Sequence, residues 1–229
     1  MKKTYTQKDV AARIDHAILK PFARDADVVA AARMCVKRGV YSICVRPSDV
    51  ELAAKEVAGS QTCVSTVVGF PHGANLTAVK RLEAEKSIRN GASELDMVMN
   101  IGKFLSENFA YVENDIAAVV ECARVEDVLV KVILEICYLS NGQIATACKI
   151  AEAAGADFVK TSTGFGENGA TPEAVAIMLE TVGGSMKVKA SGGIRDWDTA
   201  VNYLEQGCAR LGIGSTETVL DGGLAEGDY

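Results

Sequence analysis

RIDHAILKPFARD, residues 13–25, contains the first strand-like run, RIDHAIL (13–19), and the loop that leaves it. Its reading decides between two α/β folds. In an open doubly wound sheet the first strand feeds a glycine-rich phosphate turn, GxGxxG, at the start of a helix. This stretch carries no such turn. It passes through Lys-Pro into DADVVAAARMCVKRG (25–39), an amphipathic stretch with an acidic start and a basic, Gly-terminated end.

The same alternation runs along the chain. Strand-like runs follow at YSICV (41–45), TCVSTVVGF (62–70), ELDMVMN (94–100), LVKVILEI (129–136), DFVKTS (157–162), KVKAS (187–191) and ARLGIG (209–214), starting about 20 to 35 residues apart. Between them lie helical patterns. NLTAVKRLEAEKSIRNG (75–91) has apolar residues at Leu76, Val79, Leu82 and Ile88, and NGQIATACKIAEAAG (141–155) is similar. TPEAVAIMLETVGG (171–184) opens with a Thr171 cap and Pro172 in the first helical position. Eight strands, each followed by a helix, predict an α/β fold, a (β/α)8 TIM barrel; the Val/Ile-rich runs suit strands covered on both faces. No Pro/Gly/Ser-rich linker divides the chain, so a single domain is expected over residues 1–229. Residues 216–229, TETVLDGGLAEGDY, read as a flexible C-terminal tail.

Composition narrows the partners. The 229 residues are 48% hydrophobic, enough for a sizeable core, and the formal net charge is −6 with both signs scattered. That argues against nucleic acid or an anionic membrane as main partner, but leaves room for a small anionic ligand. No 18-residue apolar stretch exists, and MKKTYTQKDVAARID has no apolar signal region, so a cytoplasmic protein is expected. Seven cysteines without a CxxC pair, and only His16 and His72, make a zinc site of the usual kinds a poor fit.

In a barrel of this kind, chemistry gathers where strands end and βα loops begin. The polar residues read at those ends are Asp15, Cys44, Asp96, Asn100, Glu135, Lys160, Thr161, Ser162, Lys189 and Ser191. Two lysines head parallel strings, KTSTGFG and KASGGIR. Each is a surface loop lysine or a mouth lysine. The apolar residues before it and small residues after it favour the mouth. Two ammonium groups in one partly desolvated cavity depress each other's pKa, and a neutral amine is what imine chemistry on a carbonyl needs. Asp96, between Leu95 and Met97, must be paired or functional, because an isolated buried charge is costly. A salt bridge to the lysines and a proton-shuttling role are compatible. The glycine-rich ends TGFG (163–166), SGGIR (191–195) and GIGS (212–215) follow the last three strands, where barrels often bind phosphate through backbone N–H groups. A small phosphorylated substrate is the natural inference.

These residues carry a resemblance. IDHAILK, SICVRP (42–47), VVGFPHG (67–73), GASELDMVMNIG (91–102), KVILE (131–135), GADFVKTSTGFG (155–166), VKASGGIR (188–195) and RLGIGS (210–215) together resemble the deoxyribose-phosphate aldolases, class I aldolases on a (β/α)8 barrel, from about Ile14 to Ser215. The resemblance implies reversible cleavage of 2-deoxy-D-ribose 5-phosphate to D-glyceraldehyde 3-phosphate and acetaldehyde, with no metal or organic cofactor. It implies Lys160 as the Schiff-base lysine, Lys189 as the lysine that perturbs it, and Asp96 as the carboxylate that moves protons with a water. Asp15 matches an acidic residue near the substrate hydroxyls. Thr163, Gly164, Gly192, Gly193, Arg195, Gly212 and Ser215 fall where substrate or its phosphate is held. Cys44 matches a cysteine near the mouth that in some members reacts with unsaturated aldehydes. Tyr229 matches the terminal tyrosine that in some members folds into the site; an incidental tyrosine on a disordered tail fits equally. A homodimer or higher homo-oligomer is expected.

The chain departs from the family pattern at Ala17 and Ile136, where threonine is common, and at Gly214, where serine is common. These leave open a related phosphosugar aldolase with another donor, which a panel of aldehyde donors would separate. A non-catalytic sugar-phosphate sensor is the reading from a different class, and it has no need of Lys160, Lys189 and Asp96 together. Lys131 and Glu135 share parity on their strand and suit an ion-pair network with the lysines. Lys187 shares parity with Lys189 and points either into the lower barrel or out at the strand's start. His72 reads as a loop residue, and His16 has the opposite parity to Asp15, so neither suits a triad base.

Overall fold

The run ELDMV shows how this chain builds its interior. Successive side chains of a strand point to opposite faces, so Leu95 and Met97 face one way and Glu94 and Asp96 the other. Leu95 and Met97 join the main apolar cluster, while Glu94 and Asp96 are buried among charged groups. The pattern recurs at Val130 and Val132 against Lys131, at Val159 against Lys160, and at Val188 and Ala190 against Lys189. The apolar sets pack between strands and helices. The charged sets fill the inside of a barrel.

The computed structural model describes residues 4–184 and 186–226. Eight parallel strands close in sequence order: β1 (Ile14–Ile18), β2 (Ser42–Val45), β3 (Cys63–Val68), β4 (Glu94–Val98), β5 (Leu129–Ile133), β6 (Phe158–Lys160), β7 (Lys187–Ser191) and β8 (Arg210–Ile213). β8 pairs with β1 through Asp15 and Gly212, which closes the ring. All eight expected strands are present; Lys187–Ser191 has the expected bounds and the other seven are shorter at one or both ends. A short helix, Gln7–Ala11, precedes the barrel, fixed by a reciprocal cap between Thr6 and Asp9. Helix Pro172–Thr181 starts as expected, with the Thr171 side chain accepting from the Ala174 N–H.

The helix expected over 75–91 forms at Thr77–Arg89, but with a different face inward. Leu76, Val79 and Leu82 are exposed, while Lys80, Ala84 and Ser87 are buried. Lys80 reverses the expected face. Its ammonium lies 2.5 Å from Asp115 of helix Phe109–Arg124 and donates to the Val98 carbonyl at 2.9 Å, so a buried ion pair fastens two helices to the end of β4.

At the C-terminus, Thr216–Leu220, expected in the flexible tail, is a helix with Val219 and Leu220 buried in the main core. Tyr229 lies outside the described residues. No helix among the described residues is long and apolar enough to cross a membrane.

Candidate active site

Register brings the lysines together. Lys160 and Lys189 are direct partners in the β6–β7 ladder, and Asp96 is the partner of Lys131 in the β4–β5 ladder. Lys160 and Lys189 donate to the same oxygen, Asp96 Oδ2, at 2.8 and 2.7 Å. Lys131 donates to the other, Oδ1, at 2.8 Å. Lys189 also pairs with Asp15. Lys131 reaches Glu94 at 2.5 Å, and Arg210 bridges Asp15 at 2.6 Å and Glu94 at 2.8 Å. The Arg210 guanidinium stacks 3.6 Å from the Tyr41 ring centroid. Ser42 donates to Asp15 at 2.7 Å.

The electrostatics follow from this packing. Burial pushes the Asp96 carboxyl up, but Lys131, Lys160 and Lys189 more than offset it and hold the group well below the usual carboxylate range. Asp15 behaves alike: burial is opposed by Lys189, Lys131 and Arg210, and its pKa ends low. Burial disfavours the Lys131 ammonium, yet Asp96, Asp15 and Glu94 raise its pKa. The cluster holds four cations, Lys131, Lys160, Lys189 and Arg210, against three carboxylates, Asp15, Glu94 and Asp96. One proton fewer makes it neutral.

Asp15 and Asp96, expected at strand ends, sit inside their strands and deep in the barrel. Glu135, expected in the lysine network, makes no direct ion pair with it among the described residues but is near enough to feel the Lys160 charge. It accepts from the Thr163 N–H at 3.1 Å and from the Thr163 hydroxyl, and burial raises its pKa. Its backbone is left-handed, φ 54, an uncommon state for a residue with a side chain. Glu135 and Thr163 line a cavity of about 340 Å³ with His72, Ile101, Leu105 and Phe165. Lys187 is exposed at the start of β7. Cys44 is buried in a small apolar cluster with Ala17, Leu19 and Val67, and burial pushes its thiol up. His16 hydrogen-bonds with Thr216 at 2.9 Å on the outer side of β1, and burial lowers its pKa to about 4.

The glycine-rich loops divide between two cavities. Gly164, Gly192, Gly193 and Arg195 line one of about 450 Å³. Gly214 and Ser215 line a second of about 280 Å³, beside Ala17. Gly212 stays within β8, opposite Asp15 and Ser191. Gly192 has φ +83, and a Cβ there would stand 2.8 Å from the Gly169 Cα, so two loop backbones meet where no side chain fits. The Ala170 N–H fixes that approach by donating to Ser191 and Gly192 carbonyls at 3.1 Å.

Sequence reading missed Glu94 and Arg210 in the cluster. Period-two parity was the available signal for both: Glu94 is two residues before Asp96, and Arg210 is the register partner of Lys189. It also missed Lys20, which lines both loop cavities.

A closed (β/α)8 barrel that collects buried lysines around a carboxylate has the layout of a lysine-dependent barrel aldolase. Residues 8–210 match the family model described as DeoC/LacD family aldolase, and the chain belongs to that family. It is accordingly an aldolase, a carbon–carbon lyase. It is 44% identical over 223 residues to a deoxyribose-phosphate aldolase of Clostridium perfringens, covering 97% of this chain and 99% of the relative. It is 47% identical over 216 residues to that of Streptococcus pneumoniae, covering 94% and 97%. Among solved structures it is similar to the deoxyribose phosphate aldolase of Aeropyrum pernix, described as tetrameric, with a TM-score of 0.86, 32% identity, and 94% and 91% of the two chains covered. It is also similar to an aldolase named QR15, with a TM-score of 0.89, 38% identity, and 93% and 95% covered.

Proposed function

We propose that this protein reversibly cleaves 2-deoxy-D-ribose 5-phosphate to D-glyceraldehyde 3-phosphate and acetaldehyde through an imine on Lys160. The observation that carries this reading is the sharing of one Asp96 oxygen by Lys160 and Lys189. Loss of one proton leaves the seven-group cluster neutral and supplies a nucleophilic amine. That amine adds to the C1 aldehyde, and loss of water gives a protonated imine. A base then takes the C3 hydroxyl proton, the C2–C3 bond breaks, and its electron pair moves into the imine to form an enamine. Glyceraldehyde 3-phosphate leaves. Protonation at C2 and hydrolysis release acetaldehyde and restore the amine. Asp96 with a water carries these protons, Lys189 tunes Lys160, and Asp15 orients the substrate through the same network. Lys160 is fully buried, so the aldehyde reaches it when the side chains over the mouth part.

The phosphate belongs against Gly164, Gly192, Gly193 and Arg195, where backbone donors and a cation line one cavity. Gly214 in place of a serine leaves backbone donors, and Ala17 removes a hydroxyl beside Ser215. We read the protein as a cytoplasmic homo-oligomer. Seven free thiols suit a reducing compartment. The exposed Leu76, Val79 and Leu82 supply apolar surface for a second copy, and sedimentation of Leu82→Glu against the parent tests this.

The decisive experiment is borohydride reduction in the presence of deoxyribose 5-phosphate, followed by peptide mapping. The adduct is expected on Lys160. An adduct elsewhere, or wild-type cleavage by Lys160→Ala, overturns the mechanism. Binding without trapping or turnover points instead to a sensor.

A further inference from the structure

We infer that Lys20 is the second cation of the phosphate cavity, that Arg46 is the positioning residue that presents it, and that together they set the preference for phosphorylated over unphosphorylated sugars. This deepens the aldolase reading above and rests on it.

Charge is the first argument. Arg195 and Glu167 line the 450 Å³ cavity together, and alone they cancel. Lys20 makes the lining net positive, by two cations against one carboxylate. A phosphate monoester is close to a dianion at neutral pH, and a compact ammonium suits it as a point charge.

Position is the second. Lys20 lines both this cavity and the 280 Å³ cavity beside Ala17 and Ser215, so it stands where the two meet. A sugar phosphate running from one to the other passes its ammonium. The Lys20 Nζ lies 5.4 Å from the Phe165 ring centroid, and Phe165 is itself braced edge-on by Phe70 at 5.2 Å. The ring face favours a cation there and turns it toward the cavity that Phe165 also lines.

Arg46 explains why the loop holds this shape. Its guanidinium donates to the carbonyls of Lys20 at 3.2 Å, Pro21 at 3.1 Å and Ala23 at 2.8 Å, and its Nε donates to Asp49 at 2.6 Å. One planar fork satisfies three carbonyls of the loop after β1, a geometry an ammonium does not reproduce. Arg46 lies outside the lining of either cavity and acts only through the backbone it holds.

The test compares kcat/KM for deoxyribose 5-phosphate with that for 2-deoxyribose, and inhibition by inorganic phosphate. Lys20→Met is expected to lower kcat/KM for the phosphorylated sugar about 10- to 100-fold, mainly through KM, and to weaken phosphate inhibition in parallel. Its turnover of 2-deoxyribose stays within about twofold, a ratio that general damage to the fold would not move. Lys20→Arg keeps most of the preference. Arg46→Lys lowers the same ratio by a smaller factor. Equal losses on both sugars, or no loss for Lys20→Met, overturn the assignment. If the parent protein cleaves deoxyribose 5-phosphate while the ratio is unmoved in Lys20→Met, only this inference fails. If the parent gives neither cleavage nor a trapped adduct, the aldolase reading fails with it.

Discussion

Lys160 on β6 and Lys189 on β7 stand opposite one another in a parallel ladder and donate to the same oxygen of Asp96. One carboxylate oxygen thus bridges two amines on adjacent strands. Lys160→Ala is expected to lose all borohydride trapping and to reduce cleavage by about 10³-fold or more. Lys189→Met keeps the Lys160 amine, so it is expected to retain slow trapping while kcat falls. Full trapping rates in Lys189→Met would show that the second lysine has no part in activating the first.

Asp96→Asn separates catalysis from packing. The amide keeps the volume but leaves three lysines without their shared anion. Stability is expected to fall by about 3–5 kcal/mol in urea denaturation, because buried cations lose their partner. Turnover is expected to fall by about 10² to 10⁴, the range for a lost proton-transfer group. A loss of stability with kcat unchanged would assign Asp96 a purely structural role.

How much of this was legible in the sequence depended on periodicity. The strands were legible because apolar alternates such as Leu95 and Met97 mark the outer face, and the intervening Glu94 and Asp96 then had to point inward. The convergence of Lys160, Lys189 and Asp96 was legible once strand order was fixed, because a closed parallel barrel sets the register. Lys20 and Arg46 were not legible in that way. They act through a loop conformation and a ring contact, which have no period. Glu135 keeps the inward parity set by Leu134 and Ile136, but its backbone turns left-handed after the strand ends, so it pairs with Thr163 instead of a lysine, a turn that alternation does not reveal.

Helix Thr77–Arg89 supplies the clearest conflict between pattern and packing, and a test of it. Lys80 and Asp115 are both fully buried. Lys80→Met strips Asp115 of its partner and is expected to cost about 3–5 kcal/mol. Adding Asp115→Leu removes the stranded charge and is expected to recover most of that loss. Chemical denaturation of the single and double variants checks this. A double variant as weak as the single one would mean that the hydrogen bonds to Val98 and Thr77 matter more than the charges.

His16 sets a pH limit on stability. Its folded pKa is lowered to about 4, against an ordinary value near 6.5 in the unfolded chain, because burial disfavours the imidazolium. Between these values the unfolded state binds more protons, so stability rises with pH and falls as pH drops from about 6.5 toward 4. At pH 5 the loss amounts to about 2 kcal/mol. His16→Gln keeps a polar partner for Thr216 without a titrating group. It is expected to flatten the thermal midpoint between pH 7 and pH 5 relative to the parent. Asp15 and Asp96, whose folded pKa values are depressed, add their losses only below about pH 4. An unchanged slope between pH 7 and pH 5 in His16→Gln would remove His16 as its source.

Cys44 bears on tolerance of reactive aldehydes. The thiolate, not the thiol, attacks electrophiles, and burial and the nearby Asp96 keep Cys44 in the thiol form despite Lys189 and Lys160. Ala17, Leu19 and Val67 pack around it. Brief treatment with crotonaldehyde or iodoacetamide at neutral pH is therefore expected to modify the more exposed Cys63 before Cys44, as read by peptide mass mapping. Activity should survive this first phase and decline only as Cys44 reacts. Cys44→Met should slow that later decline while leaving the early modification of Cys63 unchanged. Preferential labelling of Cys44 would mean that the mouth opens often enough in solution to expose it, and would place it, rather than Cys63, as the first target of unsaturated aldehydes.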